Sequence, residues 1–302
     1  MKVSAPGKLV LTGAYAVLEG APAVVVAVDR RAVADSERAS EAPAAEVAAA
    51  FVDEAAAPPT CDVSSLSHEG QKLGLGSSAA AVVASVAAAR AHTGADLADA
   101  GVRSDVFRRA RAAHAAVQGG GSGVDVAAST YGGVLRYTLI SGGTPSMLHL
   151  TWPERLVLRT YFSGASARTS DLRARVDAFR AASPSAYVTA MGELADAAES
   201  AAELFAGGSA GEIVAAVRAF GEALERLGDA ADVPIVPVGF RRLATTAAES
   251  GRGWFLPSGA GGGDVGVYLG VEPPPEAFIQ LADRLGMVHL PIGIDPDGVR
   301  VH

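Results

Sequence analysis

Apolar residues cluster in short β-branched runs near the start of the chain, recur every three or four positions through its middle, and return to short runs near the end. Val3 to Leu11 reads as a strand interrupted by Pro6-Gly7-Lys8, and Ala23 to Val28 as a second strand, with a turn rich in Gly and Glu between them. Ala32 to Ala57 is alanine-rich with scattered acids and is ambiguous between helix and loop. Ala79 to Ala91 carries small and β-branched residues on every side, as a helix buried between layers would. Ser104 reads as the N-cap of a helix from Asp105 to Val117, which stops at Gly119-Gly120-Gly121. Tyr131 to Ile140 returns as a strand, and Ser141-Gly142-Gly143-Thr144-Pro145 breaks it.

A new strand, Leu156 to Phe162, leads through a small polar loop into a helix from Asp171 to Ala182. Tyr187, Met191, Leu194, Ala198, Ala201 and Phe205 recur at steps of four and three, the stripe of a packed helix. Ser209 with Glu212 forms a capping-box pattern ahead of a second stripe, Ile213, Val217, Phe220, Leu224 and Leu227. Val265 to Leu269 alternates as a strand, and a helix from Pro275 to Leu285 and a strand from Val288 to Ile292 complete an α+β unit. No internal repeat is visible.

With 302 residues and 49% hydrophobic content the chain can bury a large core, and its length predicts two domains. A second domain is expected to start near Pro153, where Leu156 to Phe162 reads as a new strand, which puts the two at 1–153 and 154–302. No apolar run reaches the length of a membrane span and no charged-then-apolar leader precedes the first strand, so a cytoplasmic location is expected. The single cysteine, Cys61, excludes an internal disulfide, and no Cys/His cluster has metal-ligand spacing. A net charge of -8 argues against general nucleic-acid binding, so any anionic ligand has to be held by local groups.

Such groups surround the stretch Lys72-Leu73-Gly74-Leu75-Gly76-Ser77-Ser78-Ala79-Ala80-Ala81. Glycine lets amide groups approach a ligand, and the helix that follows offers unpaired N–H groups and the positive end of its dipole. Gly74, Gly76 and Ala79 also fit the dinucleotide template Gly-x-Gly-x-x-Gly/Ala, although Ser67 to Gln71 lacks the character of the buried first strand that template needs. A serine N-cap in an ordinary turn would look similar. Of 25 basic residues only Lys2, Lys8 and Lys72 are lysines, and Lys8 and Lys72 both adjoin glycine-rich segments. An ammonium is a compact charge that guanidinium does not replace at a phosphate or acid–base site. Three further glycine-containing stretches stand out: Gly119 to Ser129 around Asp125, Ser163 to Ser170 with Arg168, and Pro257 to Asp264. The first and last of these are equally compatible with plain turns, and the second with a capped surface turn.

Taken together, Ser4-Ala5-Pro6-Gly7-Lys8, Gly74-Leu75-Gly76-Ser77-Ser78-Ala79 and Ser258-Gly259-Ala260-Gly261-Gly262-Gly263-Asp264 resemble the GHMP kinase superfamily in kind and order. The resemblance spans nearly the whole chain. It implies an α+β, two-domain fold: a ribosomal-S5-like N-terminal domain with an unusual crossover, a ferredoxin-like C-terminal domain, and ATP and substrate in the cleft. Within the superfamily, Gly13-Ala14-Tyr15-Ala16-Val17-Leu18-Glu19, with His114 and Gln118 ahead of Gly121-Ser122-Gly123-Val124-Asp125, looks most like the kinases of phosphomevalonate. Mevalonate kinases carry a glutamate where this chain has Ala14, and a magnesium-ligating glutamate where it has His114.

The resemblance implies that the amides of Gly74, Leu75, Gly76, Ser77, Ser78 and Ala79 cradle the ATP phosphates and that Ser78 helps to hold Mg²⁺. Lys8 and Asp125 match the catalytic pair, while Gly259, Ala260 and Gly261 close on the phosphates and the substrate. Ser122 and Gly123 fall in the substrate loop, and Lys72, Arg168, Thr169 and Ser170 are candidates for the substrate phosphate. The expected partners are ATP and phosphomevalonate, with neither nucleic acid nor membrane, in a monomer or homodimer. A sibling kinase acting on an alcohol such as mevalonate is the alternative. A non-catalytic ligand sensor of the same fold would be expected to lose the lysine–aspartate pair or a phosphate loop, and both are present.

Overall fold

The computed structural model describes residues 1–54, 56–165 and 169–302. The chain forms two compact units, residues 1–9, 25–135 and 293–302, and residues 10–24 and 136–292. The division at 153/154 expected from the sequence falls inside the second unit.

In the first unit, strands β1 (Lys2–Thr12) and β2 (Pro22–Ala39) are followed by α1 (Ala45–Ala50) and β3 (Pro59–Asp62). A small hairpin of β4 (Ser67–His68) and β5 (Gln71–Lys72) precedes helices α2 (Ser77–His92), α3 (Ala100–Gln118) and α4 (Val124–Tyr131), and then comes strand β6 (Val134–Thr138). β1, β2 and β6 each run on across the division between the units.

β1 is not interrupted at Pro6-Gly7-Lys8. All of it except Lys2 is buried, and Gly7 is what allows it to pass: a Cβ there would lie 2.6 Å from Leu66 Cδ2 and 2.7 Å from the Leu75 carbonyl oxygen. β2 is longer than the apolar run suggested, because its second half pairs with β3 in the register Ala34 opposite Cys61 and Asp35 opposite Thr60. Helix α2 is buried on nearly every side by small side chains, as its composition predicts, and packs against α1, α3 and α4.

Helix α3 begins earlier than expected. Asp99, not Ser104, is its N-cap: the Asp99 carboxylate accepts from the Val102 amide at 2.9 Å, and Ser104 sits inside the helix. Asp99→Ala is therefore expected to lower the stability of the protein by about 1 kcal/mol, measured as a shift of the urea midpoint, whereas Ser104→Ala has little effect. α3 stops at Gly119 in the left-handed conformation, as the glycine run implied. Tyr131 belongs to the end of α4, so the strand after it is shorter than expected and starts at Val134.

The second unit contains β7 (Ser146–Leu150), β8 (Val157–Phe162), α5 (Thr169–Ala182), α6 (Pro184–Gly207), α7 (Ala210–Ala231), α8 (Val238–Glu249), β9 (Gly253–Pro257), β10 (Val265–Gly270), α9 (Glu276–Arg284) and β11 (Val288–Leu290). Its four-stranded sheet runs β11-β8-β10-β9 and is antiparallel throughout. Numbered along the chain this order is 4-1-3-2 with helices after the first and third strands, the βαββαβ pattern of a ferredoxin-like domain. β10 does not alternate between core and solvent. All six of its residues are buried, so both faces of the strand are covered.

The apolar stripe of α6 is buried from Tyr187 to Phe205, and the Ser209–Glu212 capping box of α7 is formed in both directions. The last strand, β12 (Arg300–Val301), returns to the first unit and pairs with β1, Val3 opposite Val301. The larger sheet therefore has the order β12-β1-β2-β6-β7, with β3 added to β2. Among the described residues no helix is long and apolar enough to cross a membrane.

Candidate active site

In the first unit the loop between β5 and α2 is shaped by two left-handed glycines, Gly74 at φ 73° and Gly76 at φ 75°. Gly76 is the N-cap of α2, and among the described residues no side chain caps the helix, which leaves its first amides for another acceptor. Lys8, buried in β1, is tied to this loop twice. Its backbone amide donates to the Leu75 carbonyl at 2.8 Å, and its Nζ donates to the Gly74 carbonyl at 2.9 Å.

Asp125 lies in the first turn of helix α4, two residues after the left-handed Gly123, and not in a connecting loop. A Cβ on Gly76 would meet Lys8 Cγ at 3.1 Å, Lys8 Cε at 3.2 Å and Asp125 Cβ at 3.7 Å. Only glycine can stand where the lysine, the aspartate and the loop converge. Asp125 Oδ1 also accepts from the Val126 amide at 2.9 Å, which fixes the carboxylate.

His114 of α3 completes the cluster. Its Nε2 is 3.2 Å from Ser78 Oγ and 3.6 Å from Asp125 Oδ2. With the proton on Nε2 the ring donates; without it, the ring accepts the Ser78 hydroxyl. The sequence pointed to His114 only as a mark of resemblance, although it extends the Phe107–Ala110 face of α3 by a further step of four. Ser77 opens α2 half-buried, and Ala79 is buried behind it. The Val124 amide reaches Ser122 Oγ at 3.4 Å. Lys72 is exposed in β5 opposite Ser67, in a hairpin turned by Glu69 and Gly70, both at positive φ. The segment before the loop is thus a two-residue hairpin strand and not the buried first strand of a larger sheet, which removes the dinucleotide reading.

In the second unit, the segment from Ser258 to Asp264 carries left-handed glycines at Gly259 and Gly261. Two ties from the chain's early segment hold it. The Val10 amide donates to Ser258 Oγ at 3.0 Å, and the Tyr15 hydroxyl donates to the Ala260 carbonyl at 2.7 Å. Tyr15 itself has φ 63°, unusual for a residue with a side chain. Burial pushes its phenol well above the ordinary pKa, so it remains a hydrogen-bond donor at any physiological pH. A Cβ on Gly261 would come within 2.0 Å of the Ile235 carbonyl oxygen. Of the candidates for a second anion site, Arg168 lies outside the described residues, Thr169 opens α5, and Ser170 Oγ donates to Asp171 Oδ1 at 3.2 Å.

Residues 44–133 match the family described as GHMP kinases N terminal domain. A phosphomevalonate kinase of Streptomyces sp. (strain CL190) is 30% identical over an alignment covering 88% of each chain. The chain belongs to the GHMP kinase superfamily. Its α+β fold is that of the superfamily, with N-terminal and ferredoxin-like C-terminal domains. A Lin0012 protein from Listeria innocua superposes with a TM-score of 0.85 at 24% identity, covering 100% of this chain and 99% of that one. A Streptococcus pneumoniae phosphomevalonate kinase, in complex with phosphomevalonate and AMPPNP, superposes with a TM-score of 0.80 at 18% identity, covering 97% and 99%. For a GHMP kinase, the lysine, the glycine loop and the aspartate are therefore close together within one unit of the fold.

The same residues meet the demands of Mg²⁺, which keeps several waters and takes one or two protein oxygens beside substrate phosphates. Ser78 Oγ and the Asp125 carboxylate offer such oxygens, both next to His114 Nε2. Among the described residues there is no group of three or more His, Cys, Asp or Glu side chains that would form a cage without phosphates.

Proposed function

We propose that this GHMP kinase transfers the γ-phosphoryl group of ATP to the phosphate of phosphomevalonate, giving diphosphomevalonate and ADP. The observation that carries the kinase reading is the Lys8 ammonium, held on the Gly74 carbonyl at the opening of an uncapped helix and separated from Asp125 only by Gly76. The relative from Streptomyces sp. (strain CL190) supports the choice of acceptor.

A phosphate oxygen of the acceptor forms the new P–O bond as the bond to the β,γ-bridging oxygen of ATP breaks. The second pKa of a phosphomonoester is about 6, so the attacking oxygen is already ionised at neutral pH and no strong base is required. Phosphoryl transfer then depends on positioning and charge stabilisation. The α2 amides and Lys8 hold the transferring group, Asp125 orients Lys8, and Ser78 would hold Mg²⁺. When bound with ATP, Mg²⁺ neutralises charge on the phosphate oxygens.

The test is a coupled ADP-release assay with phosphomevalonate, mevalonate, galactose and homoserine. Turnover with phosphomevalonate alone is the expected outcome. Turnover with mevalonate and not with phosphomevalonate would replace this acceptor by an alcohol.

A further inference from the structure

Helix α3 carries four arginines in its described length, and three of them are engaged. Arg103 donates to the Leu97 carbonyl, while Arg108 and Arg109 pair with Asp105. Arg111 makes no ion pair and no side-chain hydrogen bond among the described residues. It is half-buried, and its chain lies flat on the loop that leads to Asp125. A Cβ added to Gly123 would meet Arg111 Cδ at 2.9 Å and Cγ and Nε at 3.0 Å. The absence of a side chain at Gly123 is what lets the guanidinium reach this loop, beside Ser122. Arg111 stands one helical turn before His114, which touches Asp125.

A guanidinium placed there without an acidic partner suits an anion brought from solution. A half-buried guanidinium gives up part of its hydration, and in a chain of net charge -8 acidic partners are plentiful elsewhere. Arginine's planar fork matches the oxygens of a phosphate in a bidentate way, and the Ser122 hydroxyl next to Gly123 adds a neutral donor.

We infer that Arg111, with Ser122, forms a subsite for the non-transferred phosphate monoester of the acceptor. This rests on the acceptor proposed above. The attacking phosphate would be anchored through the oxygens that do not react, so Arg111 would set the specificity for a phosphorylated acceptor and contribute little to turnover itself.

The experiment uses the protein loaded with Mg²⁺ and a non-hydrolysable ATP analogue, so that the triphosphate cradle is filled, and titrates methyl phosphate by calorimetry. Wild type and Arg108→Met should bind equally, whereas Arg111→Met should bind at least about tenfold more weakly and Arg111→Lys should fall between. In turnover, Arg111→Met should raise the KM for phosphomevalonate with kcat nearly unchanged, and the thermal midpoint should match wild type. Failure of wild type to bind methyl phosphate, or equal binding by Arg111→Met, overturns the subsite. A loss confined to the ATP analogue also overturns it, by assigning the arginine to the donor. Because methyl phosphate binding is read without turnover, a wrong acceptor shows itself in the substrate panel and not here.

Discussion

Lys8→Ala is expected to lower kcat by about three orders of magnitude, with smaller changes in the KM values for ATP and acceptor. The reason is the position of the ammonium. It is buried, held on the Gly74 carbonyl, and set against Gly76 at the start of α2, where negative charge on a transferring phosphoryl group would accumulate. Lys8→Arg should not restore activity, because Gly76 already lies in contact with the lysine chain and leaves no space for a planar fork. Asp125→Asn should cost far less, about tenfold to a hundredfold, because a phosphate acceptor brings its own ionised oxygen. Steady-state kinetics of the three variants checks this. Full activity in Lys8→Ala would remove the lysine from the chemistry, and a loss in Asp125→Asn as deep as that in Lys8→Ala would point to an acceptor whose proton has to be taken.

The largest effect on stability is expected at Arg31. Its guanidinium pairs with Asp295, and the two side chains are only 9% and 6% exposed. It also donates from Nε to Ser4 Oγ at 2.8 Å and from Nη2 to the Ser4 and Gly298 carbonyls at 3.0 and 2.6 Å. Burial lowers the pKa of this arginine and Asp295 raises it again, but a guanidinium stays charged in either case. Removing one partner leaves the other charge buried and uncompensated, so Asp295→Ala should lower the unfolding free energy by about 3–5 kcal/mol. The pair Arg31→Met with Asp295→Leu should recover much of that loss. Urea unfolding measures both, and an unchanged midpoint in Asp295→Ala would show that the pair carries no such weight.

Much of the site was legible in the sequence because its requirements fall on the backbone. Left-handed turns and close approaches demand glycine, so Gly74, Gly76, Gly123, Gly259 and Gly261 mark the loops in the sequence itself. The stripes of α6 and α7 were legible for a related reason, since helical spacing of large apolar residues has few other uses. What stayed hidden was long-range or locally ambiguous. Gly121-Ser122-Gly123 looks like a turn, and only packing against α2 and α3 shows that Asp125 stands on a helix. Asp99 and Ser104 are both good caps, and the choice between them depends on where α3 is anchored. Tyr15 holds a backbone angle usually left to glycine, so no residue type announced it. Arg31 and Asp295 are 264 positions apart, beyond the reach of any local pattern.

That separation also governs the order of events during synthesis. The first unit takes its opening residues from positions 1–9 and its closing strand from positions 293–302, with most of the second unit made in between. A ribosome adds about 5–20 residues per second, so Arg31 must wait roughly 13–53 seconds for Asp295, unpaired and with the outer edge of β1 uncovered. The second unit takes no residue from 293–302, so all of its residues are made before Asp295.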